Sequence, residues 1–373
     1  MTVHSEENII DIIQLINSEN LGPITFYKLL HRFGSVRNII ANISDIKKVI
    51  LLSRNKAEFI YESALKKGMY IISYDDKNYP QKLLDIPDAP PILFTIGNIN
   101  LLNHQPTIAI VGARNASING RKTASRIAFD LTEQNVMVVS GMARGIDAAA
   151  HKGALYANQQ QGVTIAVLGT GADIPYPNEN LELYNQIKEQ GCIISEFIPE
   201  TLPQANNFPR RNRIVAAMSM GTLVVEATDK SGSLITASIA ADYNRKIFAI
   251  PGSPQEARSC GPNNLIKNGA FLVENANDII KYLNTTFKYK NIVQNRPKQQ
   301  ELRLTNTTPN LPPQNMDKTK IIDYLNFDGV YVDEIIRASG MSEAEIALEL
   351  LELEMDGKIE RQSGNKVALI KGK

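Results

Sequence analysis

Short apolar runs, rich in β-branched residues, alternate with helical patterns through the middle of the chain. Most of these runs are apolar at nearly every position, as expected for parallel strands that are buried on both faces. Helical stretches such as 121–134 and 235–244 lie between them. The alternation predicts a doubly wound α/β domain with a mostly parallel sheet over residues 69–283. The predicted strands are 107–111, 136–140, 164–168, 192–195, 222–226, 247–250 and 271–273.

The segment before this domain is helical, and the segment after it is polar. Apolar residues recur at helical spacing over 8–68, with a Gly22-Pro23 turn before a second apolar helix. Residues 1–68 therefore resemble a sterile-alpha-motif or helix-hairpin-helix domain. Such a domain can touch a DNA backbone, but a packing role fits the pattern better. Residues 284–316 are polar and carry four prolines, which predicts a flexible linker with a span of roughly 30 Å.

The last segment, residues 317–373, predicts a winged helix. Helical patterns over 318–325, 332–339 and 342–356 precede two short strand patterns. Ser342 and Glu345 predict a capping box at the start of the third helix. That helix carries six acidic residues and no Lys or Arg, so DNA phosphates would repel it. The domain is therefore expected to contact protein or to pack on the core, not to recognise duplex DNA.

Composition excludes several classes of protein and site. A hydrophobic fraction of 43% and a charged fraction of 21% over 373 residues indicate a globular protein. Two cysteines and four scattered histidines predict neither a disulfide framework nor a metal site. The first residues include acids and no basic region, and no apolar run reaches the ~20 residues that a membrane span needs, so we expect no signal peptide and a cytoplasmic protein. A net charge of +1 means that any nucleic-acid binding depends on a local basic patch.

Several turns that follow predicted strands carry candidate binding residues, because ligands bind at the carboxyl ends of such strands. Arg114 stands where a dinucleotide fingerprint has its second glycine, so we expect no NAD site but a guanidinium suited to phosphate. The glycine-bearing turn 140–147 opens a helix and predicts an anion site. Asp147 is expected to cap that helix, and His151 to be structural.

An arginine-rich segment, Phe208-Pro209-Arg210-Arg211-Asn212-Arg213, has the composition of a groove for single-stranded DNA. The pattern places a helix start near Asn212, where arginines oppose the helix dipole, which favours a functional role. Tyr176 and Phe208 could each stack on a base or pack their own loop. Ser231-Gly232-Ser233, just before a helix, is typical of a phosphate cradle. The sequence shows no convincing nucleophile–base pair or paired carboxylates, so no catalytic residue is predicted.

These motifs resemble the DprA/Smf (DNA-processing protein A) family over about residues 70–280. The matching segments are Gly112–Arg114, Ser140–Asp147, Phe208–Ile214, Ser231–Ala237, Pro251–Gly252 and Gly261–Ile266. The resemblance implies an extended Rossmann-like core that binds incoming single-stranded DNA in a basic pocket, protects it during natural transformation and loads the RecA recombinase. It places Arg114 and the Arg210–Arg213 stretch at that pocket. Together with the strand-end turns, we therefore predict DNA contacts by Gly112, Arg114, Ser140, Gly141, Arg144, Gly145, Phe208, Arg210, Arg211, Asn212, Arg213, Ser231, Gly232, Ser233 and Lys246.

The resemblance also implies a homodimer, formed through the late core region around 263–273, with Asn263, Lys267 and Leu272 at the interface. The competing hypothesis is a nucleotide enzyme. The segment Gly221–Glu226 resembles the Gly-Thr…Glu element of lysine-decarboxylase-like nucleoside-monophosphate phosphoribohydrolases, which place an arginine and a glutamate at the ribose. Here Ser219-Met220 replaces the double glycine before that element, and the arginine-rich segment exceeds the needs of a mononucleotide. We therefore favour DNA binding without catalysis or cofactor.

Overall fold

The structure, a computed structural model, describes residues 6–46, 49–157, 164–287, 321–325, 330–339, 341–355, 358–362 and 365–369. The chain divides into two compact units, Met1–Gln294 and Asn295–Lys373, which are described separately. The predicted linker lies outside the described residues beyond residue 287. Its first four residues, 284–287, belong to a helix of the first unit.

Four helices form the N-terminal module, as the apolar spacing predicts: α1 Glu6–Ile16, α2 Pro23–Phe33, α3 Val36–Ala41 and α4 Arg54–Lys66. Pro23 occupies the first turn of α2, where its fixed φ suits a helix and its missing N–H costs nothing. Gly34 ends α2 with a φ of +79°, and its N–H donates to the carbonyl of Leu30. Phe26 is buried, with its ring edge-on to Tyr74 of the following domain at 5.6 Å between centroids.

A nine-stranded sheet forms the centre of the first unit, in the order β1-β2-β6-β5-β4-β3-β7-β8-β9. The strands β3 to β9 are parallel, whereas β1 and β2 form an antiparallel edge beside β6. The strands are β1 Tyr70–Ser73, β2 Ile92–Gly97, β3 Thr107–Val111, β4 Met137–Ser140, β5 Thr164–Val167, β6 Cys192–Ser195, β7 Gly221–Val224, β8 Lys246–Ala249 and β9 Phe271–Leu272. The seven predicted strands are therefore confirmed, and the antiparallel edge was missed.

Helices cover both faces of this sheet. They are α5 Ile118–Glu133, α6 Ile146–Ala157, α7 Leu181–Gln190, α8 Asn207–Ala217, α9 Gly232–Asp242, α10 Cys260–Lys267 and α11 Ala276–Phe287. Alternate residues of the buried strands enter different clusters; Ile108 and Ala109 of β3, for example, pack on opposite faces. The chain winds outward from β3 to β6 and then returns to β7, on the other side of β3. The strand order thus reverses between β3 and β7.

The second unit is a winged helix, as predicted. Its described elements are β10 Val330–Tyr331, α12 Val332–Ser339, α13 Glu343–Met355, β11 Ile359–Gln362 and β12 Lys366–Leu369, with a sheet order of β10-β12-β11. Of the first predicted helix, 318–325, the described part forms a 3-10 turn over Ile321–Tyr324. The capping box is confirmed: Ser342 N–H donates to Glu345 at 3.0 Å, and the N–H of Glu345 donates back to Ser342 Oγ at 3.3 Å.

Candidate nucleic-acid interface

A cavity of about 970 Å³ opens at the carboxyl ends of β3 and β7, where the strand order reverses. Doubly wound sheets bind their ligands at this point. We call it the switch-point pocket. Its wall includes Gly112, Arg114, Asn115, Gly141, Asp147, Tyr176, Phe208, Arg211, Asn212, Ser231, Gly232, Ser233 and Arg258. A smaller cavity of about 320 Å³ shares Arg114, Tyr176 and Phe208 with it and adds Arg144.

Arg114 is an exposed cation on this wall. Its guanidinium carbon lies 5.6 Å from the centre of the Phe208 ring, and the Tyr176 ring lies 5.4 Å from the same ring. Within the described residues, no carboxylate forms an ion pair with Arg114. Phe208 is half-buried and Tyr176 is 37% exposed, so both rings combine packing with access to the pocket. The arrangement offers a positive charge beside two aromatic surfaces.

A buried carboxylate holds the turn after β4 in place. Asp147 accepts hydrogen bonds from the N–H groups of Gly141 and Ala143, at 3.2 and 3.4 Å. Because α6 begins at Ile146, Asp147 orders the preceding turn instead of capping the helix, and the capping prediction was wrong. Burial raises the pKa of Asp147 to about 6, although the nearby charge of Arg211 opposes the shift.

Two residues predicted to contact DNA in this turn have internal roles in the structure. The hydroxyl of Ser140 is buried and donates to the carbonyl of Ile110 at 2.6 Å. Gly145 has a φ of +77°, and a Cβ there would lie 2.3 Å from the carbonyl oxygen of Ala113. Gly145 therefore lets the turn pass under the Arg114 loop, and neither residue belongs to the pocket wall.

His151 is fully buried, as expected of a structural residue. Its Nδ1 lies 2.7 Å from the hydroxyl of Thr164, and that hydroxyl donates to the carbonyl of Val138. The imidazole must therefore be the donor in the first contact. Burial lowers the pKa of His151 to about 3, which keeps the ring neutral.

The arginine-rich segment lies within α8, not before a helix. The helix begins at Asn207, so the prediction of a start near Asn212 was wrong. Arg211 is 5% exposed and donates to the carbonyls of Gly141 and Val167, while burial lowers its pKa to about 10. Arg211 lines the pocket, and its hydrogen bonds connect the turn after β4 with the last residue of β5.

The other two arginines of α8 point away from the pocket wall. Arg213 is buried and pairs with Glu196, and its Nε lies 3.4 Å from a carboxylate oxygen of Asp88. Arg210 is half-exposed, lies 3.5 Å from Glu196 and stacks over Phe197. The sequence assigned all three arginines to the DNA-binding segment and expected at least one to face the groove and another to anchor the loop, whereas the structure directs Arg210 and Arg213 to the buried carboxylate of Glu196.

Lys246 and Arg144 also differ from expectation. Lys246 begins β8, at the amino end of a parallel strand and so at the edge opposite Arg114. Its Nζ lies 5.8 Å from the centre of the Tyr282 ring. Arg144 lines the smaller cavity, but its guanidinium is 3.4 Å from Glu179. Neither residue offers the pocket an uncompensated charge.

The glutamate on which the enzyme hypothesis depends is engaged elsewhere. Glu226 accepts hydrogen bonds from the N–H and hydroxyl of Ser117, at 2.9 and 2.6 Å, at the start of α5. A Cβ on Gly120 would lie 2.3 Å from its carboxyl carbon. A carboxylate is stabilised at this end of a helix dipole. Glu226 is thus held in a capping arrangement and does not line the switch-point pocket.

Sequence reasoning missed Arg258. It follows β8 in the loop between Pro251-Gly252 and Gly261-Pro262, which the resemblance covers, yet no motif singled it out. The sequence signal that identifies it is a basic residue in the loop after a predicted parallel strand, because that loop lies at the ligand-binding edge of the sheet.

The predicted dimer residues lie near the far edge of the sheet. Asn263 in α10 makes two hydrogen bonds with the backbone of Gly252, at 2.9 and 3.1 Å. Lys267 is the last residue of the same helix. Leu272 is 43% exposed on the edge strand β9. The interface stays a prediction. In the part of the chain that the structure describes, no cluster of His, Cys, Asp or Glu is arranged to hold a metal ion.

Comparison with known proteins decides the family. Residues 70–284 match the family model of DNA recombination-mediator protein A, residues 305–365 match a DprA winged helix domain, and residues 6–49 match a DprA-like N-terminal HHH domain. This chain belongs to the DNA recombination-mediator protein A family. The resemblance found in the sequence is thereby confirmed.

Relatives of this family match most of the chain. Protein Smf of Synechocystis sp. is 33% identical over 93% of this chain and 95% of its own length. The crystal structure of DNA processing protein A from Streptococcus pneumoniae has a TM-score of 0.62 at 35% identity, covering 73% of this chain and 96% of that one. A structure of the Helicobacter pylori protein, which addresses its single-stranded DNA binding mode, has a TM-score of 0.52 at 28% identity, covering 58% and 96%. None of the described helices is long and apolar enough to cross a bilayer.

Proposed function

We propose that this protein binds single-stranded DNA in the switch-point pocket, without a catalytic step, and takes part in natural transformation. The observation that carries the proposal is Arg114, an exposed guanidinium with no ion-pair partner among the described residues, next to the rings of Phe208 and Tyr176. The Helicobacter pylori relative binds single-stranded DNA, which supports the same ligand here.

The pocket would bind the phosphates and the bases of DNA through different side chains. Arg114 donates to a backbone phosphate through its planar fork, and such contacts carry no sequence information. A base stacks on Phe208 or Tyr176, and stacking on an aromatic side chain contributes roughly 1–3 kcal/mol per base. Every base has a π-face, so this combination favours binding without sequence preference.

The finer parts of the proposal extend beyond the pocket. A cytoplasmic homodimer, formed near Asn263, Lys267 and Leu272, would protect the bound strand and load the RecA recombinase onto it. The family description as a recombination mediator and the exposed edge strand β9 support this. Within the chain, we assign DNA binding to the core, residues 69–283, a packing role to residues 1–68, and protein contacts to residues 317–373, which the segment after α11 joins to the core.

The test compares Arg114→Ala with Arg126→Ala in binding to oligo-dT by fluorescence anisotropy at several salt concentrations. Arg126 is a matched control because its side chain is 85% exposed on α5 and pairs only loosely with Asp130, at 3.9 Å. We expect Arg114→Ala to weaken binding and to lower the slope of log K against log salt by about 0.7, the loss of one single-strand phosphate contact. The control should match the wild type. Equal slopes for both variants, in folded protein, would place the site elsewhere.

A further inference from the structure

Arg258 lies on the wall of the switch-point pocket, outside every motif that carried the sequence prediction. It belongs to a short 3-10 turn, Ala257–Ser259, in the loop after β8. Its carbonyl accepts a hydrogen bond from the N–H of Ala227 at 2.8 Å, which fixes this loop against the loop after β7. The backbone that carries Arg258 is thus anchored at the ligand edge of the sheet.

The side chain of Arg258 is anchored at one point only. Its Nε donates to the carbonyl of Asn115 at 2.8 Å, and Asn115 directly follows Arg114. A guanidinium has five N–H donors. The terminal nitrogens of Arg258 donate to none of the described residues, and no described carboxylate forms an ion pair with it. Glu256 lines the same pocket, two residues earlier, without pairing with Arg258.

Arg114 and Arg258 thus share this pocket without an ion-pair partner among the described residues, whereas Arg210 and Arg213 of α8 pair with Glu196. The bond between Arg258 and the carbonyl of Asn115 places the second guanidinium beside the loop that carries Arg114. The cavity volume of about 970 Å³ is at the upper end of the roughly 300–1,000 Å³ that small-ligand pockets span. There is room for more than one nucleotide.

We propose that Arg258 binds a second backbone phosphate, adjacent to the one at Arg114, so that the pocket takes two consecutive nucleotides of a single strand. The planar fork of arginine suits a phosphate, and its anchored Nε leaves the terminal donors in a defined orientation. The inference rests on the proposed function, because it deepens the description of the same pocket. The sequence prediction assigned DNA binding to the arginines of α8, whereas this inference assigns a phosphate contact to Arg258.

The experiment measures oligo-dT binding across a salt series for the wild type, Arg114→Ala, Arg258→Ala, the double variant and the control Arg126→Ala. Each single pocket variant should lower the salt slope by about 0.7, and the double variant by about 1.4. Arg258→Lys keeps the charge but loses the Nε bond to Asn115. It should therefore keep most of the slope.

The outcomes separate the two proposals. If the wild type binds oligo-dT and Arg114→Ala lowers the slope while Arg258→Ala does not, the second phosphate position is refuted and the proposed function stands. If Arg258→Ala and Arg258→Lys weaken binding alike at an unchanged slope, Arg258 only anchors the Asn115 loop, which also refutes the inference. If the wild type does not bind oligo-dT at all, the proposed function fails and the inference fails with it.

Discussion

Replacing Arg213 with methionine distinguishes a structural arginine from a DNA-binding one. Methionine has a similar length and keeps apolar packing, but it leaves the carboxylate of Glu196 buried without its main partner. Breaking a buried ion pair in this way costs roughly 3–5 kcal/mol. Arg210 lies 3.5 Å from the same carboxylate and can compensate in part. We therefore expect the lower end of that range, about 3 kcal/mol of unfolding free energy.

The assay is urea unfolding followed by circular dichroism, with Arg126→Met as the matched control. Arg126 is exposed, so its loss should change the unfolding free energy by less than about 0.5 kcal/mol. DNA affinity of Arg213→Met should be close to that of the wild type where the protein is still folded, since Arg213 is not part of the pocket wall. A destabilisation below about 1 kcal/mol would contradict this argument. So would a loss of DNA binding in folded Arg213→Met equal to that of Arg114→Ala.

Three further predictions concern stacking, pH and the C-terminal unit. Phe208→Leu should weaken oligo-dT binding by roughly 1–3 kcal/mol in an anisotropy titration, because a stacking surface is lost. Between pH 4 and 6, folded Asp147, with a pKa of about 6, retains a proton that it loses on unfolding, so its contribution to stability falls as the pH rises. Folded His151, with a pKa of about 3, stays neutral there while the unfolded ring is charged, so its contribution rises with pH. Relative to the wild type, the unfolding free energy of Asp147→Asn, measured in urea, should increase by about 1.4 kcal/mol per pH unit. That of His151→Asn should decrease by the same amount. Deleting residues 300–373, where 317–373 hold twelve acids against eight Lys and Arg, should leave oligo-dT binding intact or slightly tighter.

Each of these three predictions can fail clearly. Normal binding by Phe208→Leu would mean that the ring only packs its loop. If the stability curves of Asp147→Asn and His151→Asn run parallel to that of the wild type, the two buried groups do not titrate as described. A large loss of affinity in a truncated protein with a folded core would make the winged helix a DNA-binding element, against the charge argument for α13.

The sheet was predictable because most of its strands are apolar on both faces. A continuous apolar run can be recognised in the sequence without knowing which strands lie beside it. The antiparallel edge was missed because Tyr70–Ser73 and Ile92–Gly97 come before the βα alternation begins. The start of α8 was placed about five residues too late, and Asn206, the residue before the helix, makes no side-chain capping bond.

The site was predictable only in part. Residues at strand ends such as Arg114 follow from topology, because the carboxyl ends of parallel strands meet at one edge. Arg213 could not be assigned from the sequence, because its partners Glu196 and Asp88 are 17 and 125 residues away. Lys246 begins β8 and Arg258 follows it, and only the direction and bounds of this strand show which of the two lies at the ligand edge.

The N-terminal module has a consequence for how the protein can be divided. Side chains of α1 and α2 belong to the same apolar cluster as β2 and α7, and Phe26 meets Tyr74 across the boundary. Lys67, just after α4, lies 2.9 Å from Asp173 and 3.2 Å from Glu200 of the core. Expression of residues 69–283 alone would expose this face to water, and the fragment should associate or precipitate. The module therefore covers part of the apolar core. Replacing it with the module of a relative would also require matching changes in the core surface that it covers.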